Sequence, residues 1–143
     1  MRCFALIISM LSLSGCVSLN YPELSVVPTV EEDESLVFFY RQSKFTGSGV
    51  RIRIHEGDDY IGALGSGTYF FYRTDPGEHT FWAKTEVIES LTIDLEPNET
   101  YYIKGEIKMG AFVGRPRFTI MHPLEGESRV KELKYATPRK TDD

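Results

Sequence analysis

Cysteine is almost missing from this chain: Cys3 and Cys16 both lie near the start, and none follows. The rest of the chain therefore has no thiol for a nucleophile, a zinc–thiolate cluster or a disulfide frame. Positive charge is also scarce, with 16 Lys+Arg against 21 Asp+Glu and a formal net charge of -5. That balance argues against nucleic acid as a partner. Long hydrophobic runs are absent too. The longest apolar stretch, Cys3 to Leu13, is too short to span a bilayer as a permanent helix. Catalytic motifs are missing as well: there is no Gly-x-Ser-x-Gly elbow, no His-Glu-x-x-His pair and no phosphate-cradling glycine loop.

The opening "MRCFALIISMLSLSGC" has the order of an export signal: a cation at Arg2, an apolar run, then small residues. Its end, Leu13-Ser14-Gly15-Cys16, resembles the lipobox of bacterial lipoproteins, which implies cleavage before Cys16 and acylation of that residue. Two or three acyl chains anchor a protein stably where one does not, at about 0.8 kcal/mol per buried methylene. Residues 1–15 are thus expected to be a signal peptide that takes Arg2 with it and leaves a more acidic mature chain. Val17 and Ser18 follow Cys16, where retained lipoproteins carry Asp. This resembles the set passed to the outer membrane, so the expected location is its periplasmic face. Residues 16–35, with two prolines and the acidic run Glu31 to Glu34, read as a flexible tether with a reach of roughly 25 Å.

From Leu36 onward, short β-rich runs alternate with turn residues, the pattern of an all-β sandwich or barrel. Strands are expected near 36–41, 50–55, 60–64, 68–73, 79–85, 90–95, 101–108 and 117–121. In "VRIRIH", Val50, Ile52 and Ile54 alternate with Arg51, Arg53 and His55, giving one dry and one wet face. Turns are marked by Glu56-Gly57-Asp58-Asp59, Gly65-Ser66-Gly67, Asp75-Pro76-Gly77 and Glu96-Pro97-Asn98-Glu99. The segment "GESRVKELKYA", 126–136, predicts a short helix capped by Ser128, with Val130 and Leu133 inward and Glu127 four residues before Lys131. A disordered tail is expected over 137–143.

Two runs, "LVFFY" and "TYFFY", are apolar on both faces, so each is either covered twice or leaves an aromatic platform. Outward candidates for a partner-binding surface are Trp82, Tyr102 and Phe70. The loop "MGAFVGRP" adds Phe112 and Arg115, flanked by glycines. Within "YRTDPGEHTFW", Asp75, Glu78 and His79 are the raw material of an acid/base or metal site, and equally of a tight turn. Period-two alternation places His79 with Phe81 and Ala83 on one face and Trp82 with Thr80 and Lys84 on the other. A catalytic alternative, a metal-dependent periplasmic hydrolase, would draw on His79, His55 or His122 with Asp75 or Asp58.

The segments "LVFFYRQSKFTGSGVRIRIHEGDDYIGALGSGTYFFYRTDPGEHTF" and "NETYYIKGEIKMGAFVG" resemble the bacterial domain of unknown function 2846 over about residues 36–122. The resemblance rests on Tyr40-Arg41, Gly47-Ser48, Gly57, Tyr69-Phe70, Pro76-Gly77-Glu78-His79 and Tyr101-Tyr102. A PEGA-type surface module is similar in its Gly, Tyr and Pro-Gly-x-His layout. The resemblance implies a transthyretin-like or immunoglobulin-like antiparallel β-sandwich of about seven or eight strands over 36–136. It implies no activity, metal or cofactor. The expected function is a non-catalytic, lipid-anchored envelope module that meets the membrane through its anchor and binds another envelope component, protein or glycan.

Overall fold

The computed structural model describes residues 26–110 and 114–138. The expected signal segment, the lipobox cysteine Cys16 and the loop residue Phe112 lie outside them. Among the described residues, nine strands and one helix follow in the order β1 (Ser35–Arg41), β2 (Ile52–Glu56), β3 (Asp59–Leu64), β4 (Thr68–Thr74), β5 (Gly77–Lys84), β6 (Ile88–Leu95), β7 (Thr100–Met109), β8 (Gly114–Met121), α1 (Pro123–Val130) and β9 (Lys134–Tyr135). They form two packed sheets, of order β8-β7-β1-β4-β9 and β3-β2-β5-β6, so the chain is an all-β sandwich with one short helix.

The sheets are not purely antiparallel. At the centre of the first sheet β1 pairs with β7 in parallel, and β9 pairs with β4 in parallel. The second sheet is antiparallel throughout, and its β2–β3 hairpin closes through Gly57-Asp58, with Gly57 at φ +56°. A two-residue hairpin loop needs positive φ at its first or both positions, which glycine adopts without steric cost.

Alternation along each strand builds the core. Val37 and Phe39 of β1, Phe70 of β4 and Ile103 of β7 face Ile52, Ile54, Phe81, Ala83 and Leu95 of the second sheet. Phe39 stacks on Phe70 at 5.2 Å and meets Phe81 edge-on at 5.0 Å. Such ring pairs contribute about 0.5–1.5 kcal/mol beyond the area they bury. The other face of β1 is equally dry. Leu36, Phe38 and Tyr40 join Tyr69, Tyr102 and Val130 in a second apolar cluster beneath α1. Of the two readings open for "LVFFY", the doubly covered strand is therefore the observed one.

The helix differs from the sequence expectation. It begins at Pro123, with the His122 side chain accepting from the Leu124 amide, and ends at Val130. Pro at the first helical position loses no needed amide, and its fixed φ suits the helix. Ser128 is consequently interior rather than a cap, and 134–135 is strand rather than helix. The expected Glu127–Lys131 pair is present at 2.6 Å, and Val130 is buried as expected. Gly126 lies against Tyr102 at a spacing that leaves no room for a Cβ.

The expected tether also ends earlier than residue 35. Val27 and Val30 pack on the second apolar cluster. Arg73 ion-pairs with Glu34 and Glu31 and donates to the Thr29 carbonyl at 2.9 Å, so part of the acidic run is held against the domain.

Candidate functional site

The expected site residues fall in three places. Phe70 is fully buried between the sheets, and its ring occupies the space above Gly62. Tyr102 is buried under α1, stacked on Phe38 at 5.2 Å. Neither forms an outward surface: β4 turns Phe70 toward the second sheet, and the helix covers Tyr102. Trp82 does face outward, on the uncovered side of the second sheet.

That outer face carries an aromatic row. The β2–β5 register sets His55 beside Trp82, and the β2–β3 register sets Tyr60 beside His55. The His55 imidazole stacks on the indole at 4.3 Å and 15°, and Tyr60 meets it edge-on at 5.6 Å. Trp82 Nε1 donates to the Gly57 carbonyl at 2.8 Å, which fixes the indole plane. Arg53, Thr80, Lys84, Ser90 and Thr92 around the row are exposed. Burial, with the Arg53 charge, holds the His55 pKa below its usual value against a weaker pull from the Arg53 backbone. No hydrogen bond of normal geometry reaches its buried Nδ1 from the described residues. The row thus presents a partly exposed aromatic surface with a polar rim.

His79 lies on the opposite, inner side of β5, at the open end of the core, stacked over Phe81 at 6.0 Å. Its Nδ1 meets a Glu56 carboxylate oxygen, and its Nε2 lies 2.8 Å from the Asp75 carbonyl. Both ring nitrogens are thus engaged, one by a carboxylate and one by a backbone carbonyl. The second Glu56 oxygen accepts from the Tyr72 hydroxyl at 2.8 Å. Burial, the Glu56 hydrogen bond and the Glu56 charge push the Tyr72 pKa up to about 12. Glu56 thereby joins β2, β4 and β5 and the Asp75 turn through one carboxylate. The sequence does not single it out, because its partners lie 16 and 23 positions away.

The three histidines are not brought together. His55 is on the outer face of the second sheet, His79 at the end of the core, and His122 caps α1. Among the described residues no group of three or more His, Cys, Asp or Glu is placed to hold a metal ion. Asp75 contributes its backbone carbonyl to His79.

Arg115 is exposed on β8, directly opposite Lys108 of β7. It belongs to a separate basic surface on the first sheet. There Lys44, Lys104 and Lys108 converge on Glu106 at 3.2, 3.7 and 3.8 Å. Burial opposes ionisation of Glu106, but the Lys44 bond and the three lysine charges together hold its pKa below the usual carboxylate range.

Fold and surface thus define a β-sandwich with an aromatic row on one outer face and a basic end on the other. Residues 31–115 match the model of the family described as protein of unknown function DUF2846, and the chain belongs to that family. An uncharacterized protein of Haemophilus influenzae (strain ATCC 51907 / DSM 11121 / KW20 / Rd) is 28% identical over 107 residues. The match covers 74% of this chain and 63% of that relative's length. No solved structure matches.

Proposed function

We propose that the protein is a lipid-anchored module of the bacterial envelope, held through Cys16 at the periplasmic side of the outer membrane. It acts by binding another envelope component, protein or glycan, through the outer face of the second sheet, without catalysis. The observation that carries the binding face is the Tyr60–His55–Trp82 row. A large ring held in place by its own hydrogen bond, partly exposed and ringed by polar side chains, has the anatomy of an interface hot spot. Lipobox order at residues 13–16 supports the anchor. The separation of the histidines and the double use of His79 give the metal-hydrolase alternative no support.

Crosslinking and pulldown from native membranes test the binding role. A discrete adduct that disappears in Trp82→Ala supports it, whereas an adduct unaffected by that change places the contact elsewhere. Cys16→Ala separately tests the anchor: acyl labelling and membrane association are expected to vanish, and persistent labelling refutes the assignment.

A further inference from the structure

β1 and β7 run parallel, so both deliver their C-terminal ends to the same end of the sandwich. The loop after β1 is tightly held there. The buried Arg41 guanidinium donates to the Gly47 and Val50 carbonyls at 2.6 and 2.5 Å. Gly47, at φ +73°, sits so close to Ile107 that an added Cβ would lie 3.1 Å away, and Lys44 is tied to Glu106. Despite this clamping, Phe45 is 98% exposed, and Met109, at the same end of β7, is 57% exposed. Neither side chain belongs to either apolar cluster of the described fold.

Cations share this end of the sandwich. Lys44, Lys108 and Arg115 are exposed at this end, with Arg117 one row and Lys104 two rows behind on the same face. Against these five stand Glu106, shared by three lysines, Glu89, which reaches Arg117 at 3.7 Å, and the exposed Glu86 of the β5–β6 turn, whose neighbour Thr85 donates to the Gly114 carbonyl at this end. The opposite end is acidic. Glu31, Glu32, Asp33 and Glu34 precede β1, and Glu96 and Glu99 flank the β6–β7 turn that bonds to them through Asn98. The chain as a whole carries -5, so the basic end has the opposite sign to its surroundings.

We propose that the Phe45 end of the sandwich docks on the surface of a bilayer containing anionic phospholipid. Phe45 and Met109 would enter the headgroup layer, with Lys44, Lys108 and Arg115 pairing with lipid phosphates. Two exposed apolar side chains at the same end as three exposed cations suit a deformable anionic interface, where each Lys or Arg contributes about 1 kcal/mol and amphipathic groups gain by burying their apolar parts. The acidic pole is repelled by the same surface, which fixes the orientation. This goes beyond the anchored binding module and does not depend on acylation of Cys16.

The chain has a single tryptophan, so Trp82→Phe with Phe45→Trp moves the reporter to position 45. The full-length chain is mixed with vesicles carrying bromine on their acyl chains, either neutral phosphatidylcholine or phosphatidylcholine with phosphatidylglycerol. Indole emission from position 45 is expected to be quenched severalfold more in the anionic vesicles, while native Trp82 stays unquenched in both. K44Q/K108Q/R115Q removes about three cation contacts and should cut the preference for anionic over neutral vesicles roughly a hundredfold. A contribution from the anchor is common to both vesicle types and cancels in that ratio. Quenching at 82 rather than 45, equal quenching in neutral vesicles, or quenching insensitive to the triple change would each overturn the proposal. Hydrogen exchange of the unsubstituted chain is the second readout. Vesicles should protect residues 43–47, and unchanged exchange there counts against docking whatever the fate of the variants.

Discussion

Replacing Gly126 by Ala sets two effects of known size against each other. Alanine is favoured over glycine within a helix by about 1 kcal/mol, so on propensity alone the change stabilises. Packing opposes it. A Cβ at position 126 would lie 2.8 Å from Tyr102 Cδ1 and closer still to its Cγ and Cβ, the last of which no rotamer change can move aside. Relief requires α1 to lift from the first sheet by about an ångström, loosening Val130 from Leu36, Phe38 and Tyr40. Overpacking of this kind costs about 1–3 kcal/mol, and here the clash involves near-backbone atoms, so the upper part of that range applies. The expected net effect is a loss of about 2 kcal/mol, read as a fall in urea midpoint of roughly 1 M. Ser128→Ala, at an exposed position of the same helix, should gain a few tenths of a kcal/mol. Tyr102→Ala retains the obstructing Cβ, so it should not rescue Gly126→Ala. A Gly126→Ala variant more stable than the parent would refute the packing argument.

Glu56→Gln should cost about 2 kcal/mol in denaturant unfolding, because it weakens the partners of both His79 and Tyr72 at once. Full stability there would mean the carboxylate is incidental. The parent chain is also expected to lose stability in alkali. Tyr72 has a folded pKa of about 12 against 10 unfolded, so its contribution is complete below pH 10 and is lost as pH rises toward 12. After screening this amounts to roughly 2 kcal/mol, and it should shrink in Tyr72→Phe. His55 has the opposite dependence: its pKa is lowered, so its contribution is present above pH 6.5 and falls as the solution is acidified below that value. His55→Gln should remove this acid-side slope in pH-dependent unfolding.

Much of the sandwich was legible because period-two alternation and turn chemistry are local. The Asp75-Pro76-Gly77 turn and the opposite facing of His79 and Trp82 followed from spacing within a few residues. Phe70 and Tyr102 were harder, because "TYFFY" and "YYIKG" carry apolar residues at both parities. A shift of one residue in register exchanges the faces, and only the packed partner decides which is inward. The helix start was present in the sequence as Pro123 but was masked by a histidine cap. Residue pairs that meet across sheets, such as Glu56 with His79, or that depend on the parallel β1–β7 pairing, leave no local pattern. The basic end is of that kind: Lys44 and Lys108 lie far apart in the chain and meet only through the fold.

The central claim is that the outer face of the second sheet is the contact surface. Ser90 is exposed and directly opposite Trp82 in the β5–β6 register, whereas Ser128 lies on the exposed side of α1 over the other sheet. A photoreactive side chain at position 90, irradiated in intact cells, should give a discrete adduct absent from position 128 and abolished by Trp82→Ala. No adduct at position 90, or one that survives loss of the indole, would contradict the account.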